Sequence, residues 1–256
     1  MITEQVLKNM LQPKNSKWNS SITNVETDRL ITRGYSQDEL IGRISFPEMI
    51  FLLLNGELPS QNQVKMLQSI LVSFCDHGIT PPSTQAARTM ASAGSSISAC
   101  LAGGILAFGE NHAGAIELSM KMMQKAVNYH ESTKDSIDII ANKLVNFYLE
   151  NGRKVPGFGH RYHKEDPRAQ KLIELSKENK CLGKHLELAL RMQDLLYDRK
   201  GIKMNIDGSN AAILSDMGFD WKIGCGFFAI GRLPGILAHI IEEKNDKPFK
   251  KIFDLD

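Results

Sequence analysis

The chain has 256 residues, 42% of them apolar and 23% charged, with a formal net charge of +2 and a pI near 8.3. That length suffices for one large domain or two modest ones around a hydrophobic core, and the weak, scattered positive charge excludes a nucleic-acid footprint. Aromatics are only 7% while Ala, Leu, Ile and Met abound, which favours helix over sheet.

In chain order, Ser45-Phe46-Pro47 opens a short apolar helix through Leu54, and Asn55-Gly56 closes it. Val64, Leu67, Leu71 and Phe74 fall on one face of a second helix. Thr89 to Gly109 carries no charge and is rich in Ala, Ser and Gly. With little Leu or Phe to drive insertion it reads as a closely packed helix, not a membrane span. Ile137, Ile140, Leu144 and Tyr148 mark a further helix stopped at Asn151-Gly152. Pro167, behind Asp166 as N-cap, opens another that runs to about Asn179. Leu186 to Tyr197 gives one more, ending near Gly201. No run of alternating β-branched and aromatic residues appears, so the predicted fold class is all-α.

Cys75, Cys100, Cys181 and Cys225 form no C-x-x-C pair, so free thiols in a reducing cytoplasm are expected, without a metal cluster. The N-terminus lacks the apolar stretch of a signal peptide. Four segments break the helical pattern with Gly, Pro, His or Asp: Asp76 to Thr84, Gly109 to Ala115, Val155 to Arg168, and Asn205 to Ser209. Loops of this kind often carry chemistry. His160 follows a Gly-rich stretch and precedes Arg161, Lys164 and Arg168. It reads either as a residue at an anion site or as a loop His capping a backbone group. His160 with His163 lacks a third neighbour for a metal. His112, among small residues, is either open to a substrate or a core His satisfied by a carbonyl. Asp207 is either a base in a partly apolar turn or a helix cap. His77 is equally open, whereas His130, His185 and His239 sit on apparent helix faces and read as structural.

Taken in order, the motifs resemble the citrate synthase superfamily, from about Trp18 to Glu243. Thr32-Arg33-Gly34-Tyr35 resembles its RGY segment, and Phe51 to Pro59 its LL-x-G-x-L-P. Asp76-His77 with Ser83-Thr84 resembles its substrate-His loop. His112-Ala113-Gly114-Ala115 resembles H-G-G-A, with Ala113 in place of the first Gly. Gly157 to Arg168 is similar to G-F-G-H-R-x-x-K-x-x-D-P-R, the most specific of the set, and Asn205-Ile206-Asp207 resembles N-V-D. Phe227 to Arg232 with Ala238-His239 resembles F-A-x-x-R…A-H-x-x-E.

The resemblance implies a catalytic trio of His112, His160 and Asp207 acting on a coenzyme A thioester, the substrate, with no tightly bound cofactor. Asp207 would exchange a proton with the acetyl carbon, His112 would stabilise the enolate oxygen, and His160 would handle the hydroxyl proton. His77, Arg168 and Arg232 would hold the dicarboxylate of oxaloacetate. Val155, Gly157, Phe158 and Gly159 would lie against the adenine, with Lys164 near the phosphates. It also implies a large helical domain, 1–112 with 207–256, a small one at 113–206, and a homodimer or higher homo-oligomer packed through Thr89–Gly109 and Gly231–Ala238. Nothing matches the family's R-P-x-x-x-Y-x-G segment. With the Asn205 to Gly208 turn and Asp76-His77-Gly78, this favours citryl-CoA lyases, which give acetyl-CoA and oxaloacetate. Citrate or 2-methylcitrate synthesis is the alternative, and a non-catalytic CoA-binding regulatory paralogue the reading from another class.

Overall fold

The computed structural model describes residues 3–4, 20–159 and 165–246. They fall into two units, Met1–Pro59 and Ser60–Asp256. The first holds a three-stranded antiparallel meander, β1 (Thr23–Glu26), β2 (Arg29–Thr32) and β3 (Tyr35–Ser36). Arg33 and Gly34 form the β2–β3 turn, with φ of 50° and 90°, the pair of positive values that a two-residue hairpin of the right twist requires. The Arg33 guanidinium then donates through Nη2 to the Leu53 carbonyl at 2.7 Å. Among the described residues of this unit, the named helices are α1 (Gln37–Leu40) and α2 (Phe46–Asn55). The latter starts at Ser45, where the structure adds a capping box with Glu48, and ends on Gly56 in the left-handed region, the bounds that Ser45-Phe46-Pro47 and Asn55-Gly56 predict. The sheet was not expected from the sequence. Its strands are two to four residues long, too short to show alternation.

The second unit is helical: α3 (Gln61–Phe74), α4 (Pro82–Ser92), α5 (Ile97–Leu106), α6 (Gly114–Thr133), α7 (Ile137–Glu150), α8 (Pro167–Glu178), α9 (Lys184–Lys200), α10 (Ile206–Asp216), a 3-10 turn (Trp221–Ile223) and α11 (Gly224–Lys244). The all-α class stands. Helix α11 is the hub, packing on α3, α4, α5 and α6. Ala87 and Ala91 of α4, Cys100 of α5 and Ile236 and Ile240 of α11 make one buried cluster. By length and hydropathy alone α11 could cross a membrane; its apolarity serves this packing, and it carries the buried Arg232.

One expectation is corrected. Thr89–Gly109 is not a single helix: α4 ends at Ser92, and Ser96 accepts from the Ala99 N–H to start α5. The chain folds back on itself there, and the small residues serve that contact. A Cβ on Gly103 would lie 2.1 Å from Met90 Sδ, and one on Gly104 would lie 3.2 Å from the Ser83 carbonyl. The Gly231–Ala238 segment has a comparable intrachain use, since Cβ atoms on Gly231 and Gly235 would strike Phe74 and the Cys75 carbonyl.

Candidate active site

A cleft of about 230 Å³ opens in the second unit, lined among others by His77, His112, Arg168, Asn205, Asp207, Phe228 and Arg232. Five of the predicted site residues therefore meet. His160 and Lys164 lie outside the described residues.

His112 closes a tight turn before α6. The Gly109 N–H donates to the His112 carbonyl at 2.8 Å, and the His112 N–H returns to the Gly109 carbonyl at 3.0 Å. Ala113, next in line, takes a φ of 69°, a region that strains a residue with a Cβ. Ala113→Gly is therefore expected to stabilise the protein by about 0.5–1 kcal/mol, net of the lost methyl burial. In a chain of this size that means a melting temperature up by roughly 1–4 °C. An unchanged or lower melting temperature would contradict the strain.

The His112 ring stands nearly edge-on to Phe108 and Phe228, with centroids 5.4 and 5.7 Å away. Its Nε2 lies 2.8 Å from Ser83 Oγ. Burial, then the charges of Arg232 and His77, push its pKa down to about 4, so the ring is neutral at pH 7. If the Ser83 hydroxyl donates to Nε2, the single ring proton sits on Nδ1. Ser83 is fully buried; its segment was recognised in the sequence, but no role attached to it, because its partner is 29 residues away.

Asp207 sits in the first turn of α10. The N-cap Asn205 accepts from the Asp207 and Gly208 N–H groups at 3.0 and 3.1 Å. A helix N-terminus favours a carboxylate, yet burial dominates and lifts Asp207 to about 6, against the pull of Arg168 and Arg232. The cap of this helix is Asn205, two residues before Asp207, so Asp207 is not the N-cap; its carboxyl is the perturbed group.

Arg232 is 3% exposed. Its Nε donates to the Phe74 carbonyl at 2.6 Å, its guanidinium stacks 4.8 Å over Phe228, and its Nη1 is buried without a hydrogen-bond partner. An unmet buried donor of this charge calls for an anionic acceptor. Arg168 is fixed differently. Asp166 receives its Nε and Nη2 at 3.0 and 2.9 Å and also the Ile206 N–H at 3.2 Å. Burial alone would raise Asp166, but Arg168 and these N–H groups outweigh it and hold the carboxyl below its usual value. His77 follows Asp76 in the turn after α3. Burial, then Arg168 and Arg232, depress its pKa.

The 155–159 loop packs against the start of α10. The Asn205 N–H donates to the Gly157 carbonyl at 3.0 Å, the Asn205 side chain to the Gly159 carbonyl at 2.6 Å, and the Gly159 N–H to the Lys203 carbonyl at 2.8 Å. Gly157 has a φ of 83°, and a Cβ there would lie 2.6 Å from Gly208 Cα; one on Gly208 would lie 2.2 Å from the Gly157 carbonyl. Val155 and Phe158 turn inward as buried anchors, so the loop offers backbone more than side chains. None of these four residues is among those lining the cleft. Among the described residues no His, Cys, Asp or Glu cluster could hold a metal.

A helical cleft carrying a neutral His, a perturbed Asp and paired arginines defines the class. The sequence matches the family described as "Citrate synthase, C-terminal domain" over residues 14–70 and 61–253, and the chain belongs to the citrate synthase family. Among solved structures it is similar to citryl-CoA lyase from Hydrogenobacter thermophilus, 42% identical, with 93% of this chain and 91% of that one covered and a TM-score of 0.84. It is also similar to citrate synthase from the archaeon Thermoplasma acidophilum, solved with carboxymethyl coenzyme A and oxaloacetate, at 26% identity, 80% and 54% coverage and a TM-score of 0.65. Citrate synthase 2 of Bacillus subtilis is 32% identical over 77% of this chain and 51% of its own length. The chain spans about half the length of the curated relatives it matches.

Proposed function

We propose that the protein cleaves citryl-CoA to acetyl-CoA and oxaloacetate. The observation that carries this reading is the pairing, in one cleft, of a neutral His112 with an Asp207 whose pKa is lifted to about 6. The 42% likeness to a citryl-CoA lyase over nearly the whole of both chains supports this direction.

In this reading, Arg232 through Nη1, with Arg168 and His77, grips the carboxylates of the oxaloacetate half. His160, by its place in the G-F-G-H motif, takes the proton from the tertiary hydroxyl. The carbon–carbon bond breaks, its electron pair passes into the thioester enolate, and the hydroxyl carbon becomes the ketone of oxaloacetate. His112 donates Nδ1–H to the enolate oxygen. A neutral imidazole suits this task because its proton stays on the ring. Asp207, as the carboxylic acid, delivers its proton to the enolate carbon and regains one through solvent and His160. The 155–159 backbone holds the adenine of coenzyme A, with Lys164 near its phosphates. Closure of a domain at 113–206 over the rest would exclude water from the enolate.

Incubation with citryl-CoA, and separately with acetyl-CoA plus oxaloacetate, tests the reading when free CoA and oxaloacetate are followed together. Cleavage without thioester hydrolysis is expected. Steady CoA release from acetyl-CoA plus oxaloacetate would instead establish the synthase. The pH dependence tests the role of Asp207 independently. Cleavage needs Asp207 protonated, so kcat/KM for citryl-CoA should fall as pH rises through about 6. Condensation needs the carboxylate and should rise through the same range.

The protein is further proposed to be a cytoplasmic homodimer. Its four cysteines are unpaired, and Leu106, Ile97 and Ile241 lie exposed on α5 and α11, Leu106 by 84%. A fully active monomer in light scattering would contradict the dimer.

A further inference from the structure

We infer that His239 is a positioning residue for the dicarboxylate end of the site, acting through Asp76 on the turn that carries His77. The inference rests on the site assignment above. Its basis is a register between one face of α11 and three consecutive residues leaving α3. Arg232 holds the Phe74 carbonyl through Nε at 2.6 Å. Gly235, three residues on, packs so closely under the Cys75 carbonyl that a Cβ would approach it to 1.9 Å. His239, four residues further, donates from Nε2 to Asp76 Oδ1 at 3.0 Å. Positions i, i+3 and i+7 share a helix face, so α11 grips the backbone or side chain of each residue leading to His77. Asp76 passes the constraint on. Its Oδ2 accepts from the Gly78 N–H at 3.1 Å, so the carboxylate brackets His77 from both sides.

The ring of His239 is itself oriented. Arg88 Nη1 lies 3.3 Å from Nδ1, and a guanidinium can only donate, so Nδ1 accepts and the ring proton belongs on Nε2, facing Asp76. Arg88 is held in turn by Glu242 and, through Nη2 at 2.6 Å, by the buried Glu243. The chain of contacts thus runs from the end of α11 through Arg88, His239 and Asp76 to the His77 turn. The sequence places His239 in the A-H-x-x-E motif, but its position on a helix face reads as structural. Its partners lie 151 and 163 residues away, and no local pattern shows them.

Asp76 remains 48% exposed and His239 15%, so solvent screens the bond and the effect is one of positioning. His239→Leu is expected to raise the Kd for oxaloacetate about tenfold, the scale of one lost charge-assisted hydrogen bond, while the Kd for CoA stays within twofold. KM for citryl-CoA should rise with kcat within twofold. His239→Gln should restore oxaloacetate binding to within about threefold, because its carboxamide can accept from Arg88 and donate to Asp76. Asp76→Asn, which loses one of the two acceptor oxygens, carries the same expectation and covers a leucine variant that fails to fold. Equal weakening of CoA and oxaloacetate, or a lower melting temperature with unchanged oxaloacetate affinity, would show a purely structural role and overturn the inference. A wild-type protein that binds no oxaloacetate would overturn the site assignment and this inference with it.

Discussion

Asp207→Asn should slow citryl-CoA cleavage by about 10²–10⁴-fold, the range of a lost general acid, and at the same time make the protein more stable. The two effects have one origin. Burial lifts the carboxyl from 3.8 to about 6, so the folded state holds the proton more tightly than the unfolded chain does. The associated stability is fully present below the unfolded value near 4 and is lost as pH rises through about 6. At pH 7.5 the ionised group therefore destabilises the fold. Two pKa units set a ceiling of about 3 kcal/mol, reduced because the residue keeps some exposure to the cleft. Asparagine carries no charge, so a gain of about 1–2 kcal/mol is expected, or roughly 2–8 °C. Calorimetry at pH 7.5 and at pH 4 checks this. The gain should vanish at the lower pH, and a melting temperature lowered at pH 7.5 would contradict the burial of the charge.

His112→Ala should reduce kcat about 10²–10³-fold, the cost of one donor aimed at a developing oxyanion. Ser83→Ala should cost about tenfold, because without the hydroxyl at Nε2 the proton is no longer directed to Nδ1. The pair acts as a unit, so the double variant should be no slower than His112→Ala alone. Single-turnover rates decide this. Additive losses would mean that Ser83 acts on the substrate directly rather than through the ring.

Much of the fold was legible because its signals are local. Ser45-Phe46-Pro47, and Asp166 with Pro167, announce helix starts within three residues of chain, and both helices begin there. What the sequence hid is what depends on distance along the chain. The break at Ala93–Ser96 lies within a run of small uncharged residues whose periodicity does not change. Ser83 meets His112, and Asp166 meets the Ile206 N–H, only after the helices pack. His112, Asp207, Arg168, Arg232 and His77, which line one cleft, are singled out in the sequence by motif order, since composition and spacing leave them ambiguous. The geometry supplies what motifs lack, namely the neutral state of His112 and the lifted pKa of Asp207.

The interlock of Gly157 with Gly208 has a consequence in time as well as in space. With no side chain between them, and with Asn205 stitched to both Gly157 and Gly159, the 155–159 loop and the first turn of α10 are expected to move together. A ligand held on the loop is therefore expected to slow hydrogen exchange at the Asp207 and Gly208 N–H groups as well as at Gly159. In the proposed mechanism, coenzyme A binding at the loop would then steady the proton donor as it brings the thioester to it.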